Sequence, residues 1–257
     1  MPLAPSLAVL SVLMLAEGAA TEPPEELRCL ARHYSIEPIF ERGLWFGKLP
    51  DGKLLPFDDG RQKTFDERLD SPDLKDIFFA PYRTGPIEPV EDEGQDPGRV
   101  RAEQLLAASY GSHPAREQVR TRFLGIPVQV HPKVVSALER VAARIAKARE
   151  RDTSLRPFLR RLSGGFAERN IAGTQRPSAH AFGIAIDLDK SMSDYWRWQK
   201  QGTHRWRNRI PQAIVDAFEA EDFIWGGRWY HYDTMHFEYR PELLDPICSA
   251  GLPDKPR

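Results

Sequence analysis

The sequence of 257 residues has few cysteines, almost no net charge and very little long apolar sequence. With two cysteines, it lacks the cysteine cluster that a structural zinc site commonly uses. Lysine and arginine total 36 against 37 acidic residues, and this balance argues against a nucleic-acid partner or a polybasic membrane surface. Because no stretch beyond the first 20 residues is long and apolar enough for a transmembrane helix, we expect no stable membrane insertion.

The single apolar run lies at the start of the chain, from Leu7 to Ala16. Its length matches the apolar region of a signal peptide, and it is too short to span a bilayer comfortably. Small residues precede Thr21, although no lysine or arginine stands before the run. We predict that residues 1–20 are a signal peptide and that the protein is exported, periplasmic or extracellular. The competing interpretation is an uncleaved or misassigned start.

The two cysteines stand close to the two ends of the expected mature chain. In an exported protein, a disulfide between Cys29 and Cys248 would tie these ends together. Two unrelated buried thiols are the other interpretation, and the sequence leaves both open.

The composition changes along the chain and predicts two regions. Residues 21–100 are irregular and polar, and we expect a loop-rich N-terminal extension with a small hairpin around the two Asp-Gly turns of "GLWFGKLPDGKLLPFDDG". Residues 101–250 carry the helical and strand patterns of a folded domain, and residues 251–257 form a tail. Since 41% of the residues are hydrophobic, the chain has enough apolar side chains for a buried core.

Helix and strand patterns within residues 101–250 predict an α+β fold. A clear amphipathic helix begins near Pro132, and a second one covers about Pro211 to Ala220. The segments "GIAIDLD" and "MHFEYR" have the branched and aromatic composition of strands, and "RRLSGGFAERN" is a further predicted strand. The prediction is a small antiparallel sheet packed against helices.

The segment "SAHAFGIAIDLD" places His180 and Asp187 around an apolar strand. A buried carboxylate without a partner is costly, so we expect a positive group beside Asp187. A divalent metal ion bound by His180 and Asp187 would supply that charge, and His236 in the next strand-like segment offers a third ligand. Two imidazoles and one carboxylate, with a fourth position left for water, are typical of a catalytic zinc site.

Each of these residues has an ordinary structural interpretation when it is taken alone. His180 fits a surface or capping histidine, Asp187 a turn residue at a strand end, and His236 a hydrogen-bonded core histidine. Asp233, three residues before His236, fits a turn residue or a helix cap. The combined pattern is more specific than any of its members.

The same pattern resembles a known enzyme family. Ser178, His180 and Asp187, followed by an acid three residues before a second histidine, resemble the zinc-dependent D-alanyl-D-alanine carboxypeptidases. That family includes VanY-like carboxypeptidases and the L-alanyl-D-glutamate endopeptidases of phage lysins. The resemblance covers about residues 100–245 and is strongest from 164 to 244.

The resemblance implies roles for the reactive residues. The ligands of a single zinc ion would be His180, Asp187 and His236. Asp233 stands where the family has its general base, a position at which many members carry glutamate. Arg169 stands where the family has an arginine that holds the substrate and the developing oxyanion.

Further residues near these motifs are candidate substrate contacts. Ser178 is expected to donate or accept a hydrogen bond in the cleft, and His231 and Tyr232 lie beside the predicted base. Glu238 follows His236 by two positions in a strand, so the two side chains share a face and Glu238 is a candidate partner of that ligand.

The implied function is a zinc metallopeptidase that acts on peptidoglycan stem peptides. A D-alanyl-D-alanine carboxypeptidase is the favoured interpretation, and an L-alanyl-D-glutamate-type endopeptidase is the alternative within the enzyme class. A catalytically silent, zinc-stabilised binding module, as in the related hedgehog signalling domain, is the alternative outside it. The presence of Asp233 and Arg169 favours catalysis, whereas the scissile bond and the oligomeric state do not follow from the sequence.

Overall fold

A computed structural model describes residues 22–111, 118–200 and 202–249 of the chain. The predicted signal peptide at residues 1–20 and the predicted tail at residues 251–257 lie outside these ranges. Within the described ranges, helices and small antiparallel sheets alternate, which confirms the predicted α+β class. No helix in this part of the chain is long and apolar enough to cross a membrane.

The N-terminal region folds around a three-stranded antiparallel sheet. Helix α1 (Glu25–His33) precedes strands β1 (Glu37–Glu41), β2 (Leu44–Lys48) and β3 (Leu54–Pro56), and helix α2 (Phe65–Asp70) follows them. Strands β2 and β3 form the predicted hairpin. Its turn is closed by hydrogen bonds from the backbone N–H of Gly52 to Leu49 O (2.9 Å) and from Leu49 N–H to Lys53 O (2.8 Å).

The middle of the chain supplies the long helix. Helix α3 (Glu103–Tyr110) is followed by the hairpin of β4 (Val119–Phe123) and β5 (Ile126–Val130), and then by α4 (Pro132–Arg151). Helix α4 buries one apolar face, because Val134, Ala137, Leu138, Val141 and Ile145 all lie in the core. This burial of one apolar face confirms the sequence pattern.

The central sheet has the order β6-β8-β7 and is antiparallel throughout. Its strands are β6 (Ala185–Asp187), β7 (Phe223–Trp225) and β8 (His236–Tyr239), with helix α5 (Gln212–Glu219) before β7. Helices α6 (Pro241–Leu244) and α7 (Pro246–Ser249) complete the described chain. A disulfide between Cys29 and Cys248 joins α1 to α7, so the paired interpretation of the two cysteines is the observed one.

Two apolar cores pack against the central sheet from opposite sides. Ala185 and Ile224 belong to the core shared with the N-terminal region and α3. Ile186 and Phe237 belong to the core beneath α4 and α5, where Phe237 stacks on Phe218 with ring centroids 3.9 Å apart. The alternation of side chains along each strand produces this arrangement.

One predicted strand is wrong. The segment "RRLSGGFAERN", residues 160–170, runs as a loop and touches the sheet only through an isolated bridge between Gly164 and Asp187. A Cβ atom on Gly164 would lie 2.8 Å from Asp187 Oδ2 and 3.2 Å from His180 Cε1. The absence of a side chain at Gly164 therefore lets this loop pass close to Asp187 and His180.

Candidate metal centre and active site

His180 is positioned by a short 3-10 turn, Ala179–Phe182, that precedes β6. Ser178 caps this turn, because its hydroxyl oxygen accepts a hydrogen bond from the backbone N–H of His180 (3.4 Å). The turn ends at Gly183, which has φ = +68°, a left-handed conformation that glycine adopts without the usual steric cost. The local sequence thus turns the His180 side chain back toward the end of β6.

The three predicted ligands meet at one point. Strand register places Asp187 of β6 directly opposite His236 of β8. Asp187 Oδ1 lies 3.1 Å from His180 Nε2 and 3.1 Å from His236 Nδ1, and these two nitrogens are 3.2 Å apart. The three side chains therefore form one cluster whose atoms could hold a metal ion.

The dimensions and chemistry of the cluster fit a zinc ion. Tetrahedral ligands bonded at about 2.0–2.2 Å lie roughly 3.3–3.5 Å from one another. The three candidate ligand atoms are separated by similar distances, 3.1 Å, 3.1 Å and 3.2 Å. Two imidazoles and a carboxylate are also the donor types of catalytic zinc sites. His180, Asp187 and His236 are thus the residues that could hold the metal.

The remaining nitrogen of each imidazole is held by a hydrogen-bond partner. His180 Nδ1 lies 2.6 Å from the carbonyl oxygen of Gly165, to which it donates. His236 Nε2 lies 3.3 Å from Glu238 Oε2. Such partners fix the tautomer and orientation of a metal-binding histidine, so Glu238 has the position of a supporting group for His236.

The charges within the cluster reinforce one another. Burial opposes the ionised form of Asp187, yet the adjacent His180 and His236 keep the pKa of its carboxyl far below the usual range. Burial likewise disfavours protonated His236, but Asp187 and Glu238 raise the pKa of its imidazole to about 10. In the metal-free protein a proton on His236 thus balances the buried carboxylate of Asp187, and a divalent cation bound there would supply the compensating positive charge in its place.

Asp233 lies at the same cavity with an unsatisfied oxygen. Its Oδ1 is buried and has no hydrogen-bond partner among the described residues. Its backbone is fixed, because Asp233 N–H donates to Gly226 O (2.9 Å) and His236 N–H donates to Asp233 O (3.2 Å). Burial first, and then the charge of Asp187, raise the pKa of the Asp233 carboxyl to about 7. A carboxylate with a pKa near neutrality suits general-base chemistry.

Arg169 reaches the cluster from the loop after the glycine pair. Its Nη2 lies 4.0 Å from Asp187 Oδ2, and its side chain remains half exposed. The backbone N–H of Ser178 donates to Arg169 O (3.0 Å), so this loop is tied to the turn that carries His180. The guanidinium is thus available to an anionic or polarised group in the cavity.

The two residues that precede the predicted base, His231 and Tyr232, lie in different surroundings. His231 lines the cavity, and its Nδ1 lies 2.6 Å from the buried carboxylate of Asp96, which also accepts from His231 N–H (3.0 Å). The side chain of Tyr232 is fully buried, and its hydroxyl contacts Gln199 Nε2 and Arg205 O. Tyr232 is absent from the described cavity lining, so the expected substrate contact is not formed here.

These side chains surround a cavity of about 170 Å³. Its lining includes the predicted His180, His236, Asp233, Arg169 and Ser178. It also includes three residues from the end of the N-terminal region, which sequence reasoning missed: Gly98, Arg99 and Arg101. Only the charged run "GRVR" marks them in the sequence, and such a run usually indicates a solvated surface.

Three potential metal ligands, a buried carboxylate and an arginine thus meet at one cavity, an arrangement that could support metal-dependent hydrolysis. Residues 172–239 match the family model described as D-alanyl-D-alanine carboxypeptidase. The matched segment contains all three candidate ligands and Asp233, and it confirms the resemblance predicted from the sequence. It supports a peptidase related to peptidoglycan. No solved structure matches the chain.

Proposed function

We propose that this protein is an exported, zinc-dependent peptidase that cleaves peptidoglycan stem peptides, and more narrowly a D-alanyl-D-alanine carboxypeptidase. The observation that carries the proposal is the meeting of His180, Asp187 and His236 in the cavity where Asp233 has a buried carboxylate oxygen, Oδ1, without a hydrogen-bond partner among the described residues. The family match over residues 172–239 supports the same substrate class.

The three ligands would hold one zinc ion, with Gly165 O and Glu238 supporting the imidazoles. When bound at such a site, zinc acts as a Lewis acid and lowers the pKa of water from 15.7 toward about 7. The protein contributes a fixed, water-poor setting, since His180 and His236 are both buried. In that setting, electrostatic interactions are stronger than in bulk water.

Asp233 is proposed as the general base. Its free Oδ1 can accept the proton of the attacking water, and the same carboxyl can then donate that proton to the leaving amine. The raised pKa of this carboxyl suits both steps near neutral pH. Aspartate is one methylene shorter than the glutamate of many family members, so the water must approach this backbone more closely.

Arg169 and His231 are proposed to act on the substrate. Arg169 has half of its side chain exposed at the cavity and would donate to the oxyanion that develops on the scissile carbonyl. His231 is held through Nδ1 by Asp96, which orients its other nitrogen for a substrate contact. Ser178 contributes through the turn that it caps, because that turn carries His180.

Digestion of purified muropeptides tests the proposal. The zinc-loaded full-length protein is incubated with muropeptides, and the products are measured by mass spectrometry with and without a chelator. We expect loss of a terminal alanine that the chelator abolishes and that Asp233→Ala does not show. A cut within the stem would instead indicate the endopeptidase, and no product from well-folded, zinc-loaded protein would favour the binding module.

A further inference from the structure

One wall of the cavity is formed by an arginine that comes from outside the family match. Arg101 lies just before α3, and only 5% of its side chain is exposed. Buried arginines are rare unless they are paired, so the contacts of this guanidinium call for an explanation.

The hydrogen-bonding capacity of Arg101 is largely unused. Its Nη2 donates to Pro177 O (2.9 Å), and its Nη1 lies 3.5 Å from Glu238 Oε1, which is at the limit of a hydrogen bond. Its Nε is buried without an acceptor among the described residues. A guanidinium has five N–H donors, and a buried donor without a partner is costly.

The negative charge beside Arg101 is shared with other cations. Glu238 Oε1 also lies 3.2 Å from Arg240 Nη1, and Glu238 Oε2 lies beside His236. By contrast, two other arginines that line the cavity have their own carboxylates. Arg99 pairs with Asp96 (2.7 Å) and Arg176 pairs with Glu103 (2.7 Å). Arg101 is therefore the buried cation of this wall that has the least compensating charge.

The position of Arg101 relates it to the candidate reaction centre. Arg101 and His236 contact opposite oxygens of the same Glu238 carboxylate, so one side chain separates the guanidinium from a metal ligand. Arg101 and His236 also line the same cavity, so a ligand bound there can face the guanidinium and the candidate metal centre together.

We propose that Arg101 binds the free C-terminal carboxylate of the peptide substrate. This inference rests on the proposed carboxypeptidase function and assigns the residue that would recognise the free carboxyl end of its substrates. A planar guanidinium can bind a carboxylate through two parallel hydrogen bonds, and a carboxylate in the cavity would add to the negative charge of Glu238 that Arg101 shares with Arg240.

A purely structural role makes a different prediction. If Arg101 only holds Glu238 and Pro177 in place, its loss weakens the centre for every substrate to the same extent. If it binds a carboxylate, its loss matters only for substrates that have one. The test therefore compares two substrates that differ in this group alone.

The experiment measures kcat/KM for a stem pentapeptide with a free C-terminal carboxylate and for its C-terminal amide. We expect the wild-type protein to prefer the acid by about 100-fold or more, because a buried cation would stay unpaired beside the amide. In Arg101→Gln, the preference should fall to within about threefold, mainly through KM for the acid. Arg101→Lys retains the positive charge but not the planar pair of N–H donors, and it should show an intermediate preference for the acid.

Glu238→Gln is the matched control, since it alters the contact between Glu238 and both Arg101 and His236 without removing the guanidinium. It should lower cleavage of both substrates through His236 and should keep or increase the preference for the acid, because the guanidinium then has even less compensating charge. Zinc content and thermal unfolding of each variant establish that it is loaded and folded. An unchanged acid preference in folded Arg101→Gln and Arg101→Lys would overturn the inference.

A failure of the proposed peptidase function can be distinguished from a failure of the carboxylate site at Arg101. If the zinc-loaded wild-type protein cleaves neither peptide, the proposed peptidase function is contradicted. Calorimetric titration of the Asp233→Ala protein with the same two peptides still decides the role of Arg101. Tighter binding of the acid that disappears in Asp233→Ala/Arg101→Gln supports the carboxylate site, and equal binding of acid and amide contradicts it.

Discussion

The two three-stranded sheets of this protein are similar in size and opposite in character. The N-terminal sheet of β1, β2 and β3 is partly exposed, with Phe40 42% and Leu44 46% accessible. The central sheet of β6, β8 and β7 is nearly closed to solvent, yet it carries Asp187, His236 and Glu238. Thus the charged side chains of the N-terminal sheet, Glu37, Glu41 and Lys48, are exposed, whereas those of the central sheet are largely buried, where a charge costs most.

This difference separates a supporting sheet from a functional one. Exposed apolar residues at a small sheet have little consequence, whereas buried ionisable residues persist only where partners or a metal compensate them. The N-terminal region reaches the cavity through Leu69, Gly98 and Arg99, and its Asp96 holds His231. Variants of the central sheet and of the N-terminal region should therefore have different effects, and the following predictions start with the largest.

Removal of a ligand should have the largest effect. His180→Ala should lose zinc and lower peptide hydrolysis by at least about 1,000-fold, because a catalytic metal contributes several kcal/mol to the transition state. Metal analysis of the purified protein and a hydrolysis assay measure the two effects. The control is His204→Ala, which removes a histidine that bonds Tyr230 O and is absent from the described lining of the main cavity. Zinc retention by His180→Ala would contradict the assignment.

Loss of the proposed base, Asp233, should reduce catalysis without reducing zinc binding. Asp233→Ala should retain zinc, because the three ligands are unchanged, and should lose about 100- to 10,000-fold in kcat. Metal analysis and steady-state kinetics are the measurements. Activity equal to that of the wild-type protein would remove Asp233 from the mechanism.

The sequence predicted the centre well because its residues lie in two short segments with a diagnostic spacing. His180 and Asp187 are seven positions apart, and the apolar composition of both segments predicted strands, whereas the register that brings His236 opposite Asp187 is visible only in the structure. Glu238 could also be inferred, because it lies two residues along the same strand.

The remaining parts depend on contacts distant in sequence. Asp96 meets His231 across 135 positions, and Arg101 meets Glu238 across 137. No local periodicity encodes such contacts. The burial of Tyr232 away from the cavity could not be predicted, because adjacency to Asp233 does not determine which side of the chain a residue faces. The glycine pair at residues 164 and 165 was interpreted as part of a strand because the close approach of Asp187 and His180 is invisible in the sequence.

The disulfide should affect stability and leave catalysis unchanged. Replacing Cys29 and Cys248 together by serine should lower the free energy of unfolding by about 2–5 kcal/mol, since the bridge spans 219 positions. Because neither cysteine belongs to the described lining of the cavity, kcat/KM at 25 °C should stay within about twofold in the protein that remains folded. Denaturant unfolding and kinetics check the two parts. A large loss of kcat/KM in folded protein would show that the N-terminal region controls the site.

The smallest expected effect is a gain in stability at the site itself. In the metal-free protein, the pKa of Asp233 is raised from 3.8 to about 7, first by burial and then by Asp187. The folded state therefore binds a proton more tightly than the unfolded state, and this carboxyl destabilises the fold increasingly as the pH rises from about 4 to about 7. Asp233→Asn removes the penalty and should raise the free energy of unfolding at pH 8 by on the order of 2 kcal/mol.

Asp96→Asn serves as a control with the opposite sign. Burial opposes the charge of Asp96, but hydrogen bonds from His231 and the charge of Arg99 lower the pKa of its carboxyl. Its ionised form therefore stabilises the fold above the pKa of the unfolded chain, and this contribution is lost as the pH falls through the lower folded pKa. Urea unfolding with a chelator from pH 4 to pH 8 should show Asp233→Asn gaining stability relative to the wild-type protein while Asp96→Asn loses it. If the free energy of unfolding changes with pH in the same way for all three proteins, the ionised carboxylate of Asp233 does not destabilise the fold. The contrast between the central sheet and the N-terminal region would then rest on the metal ligands alone.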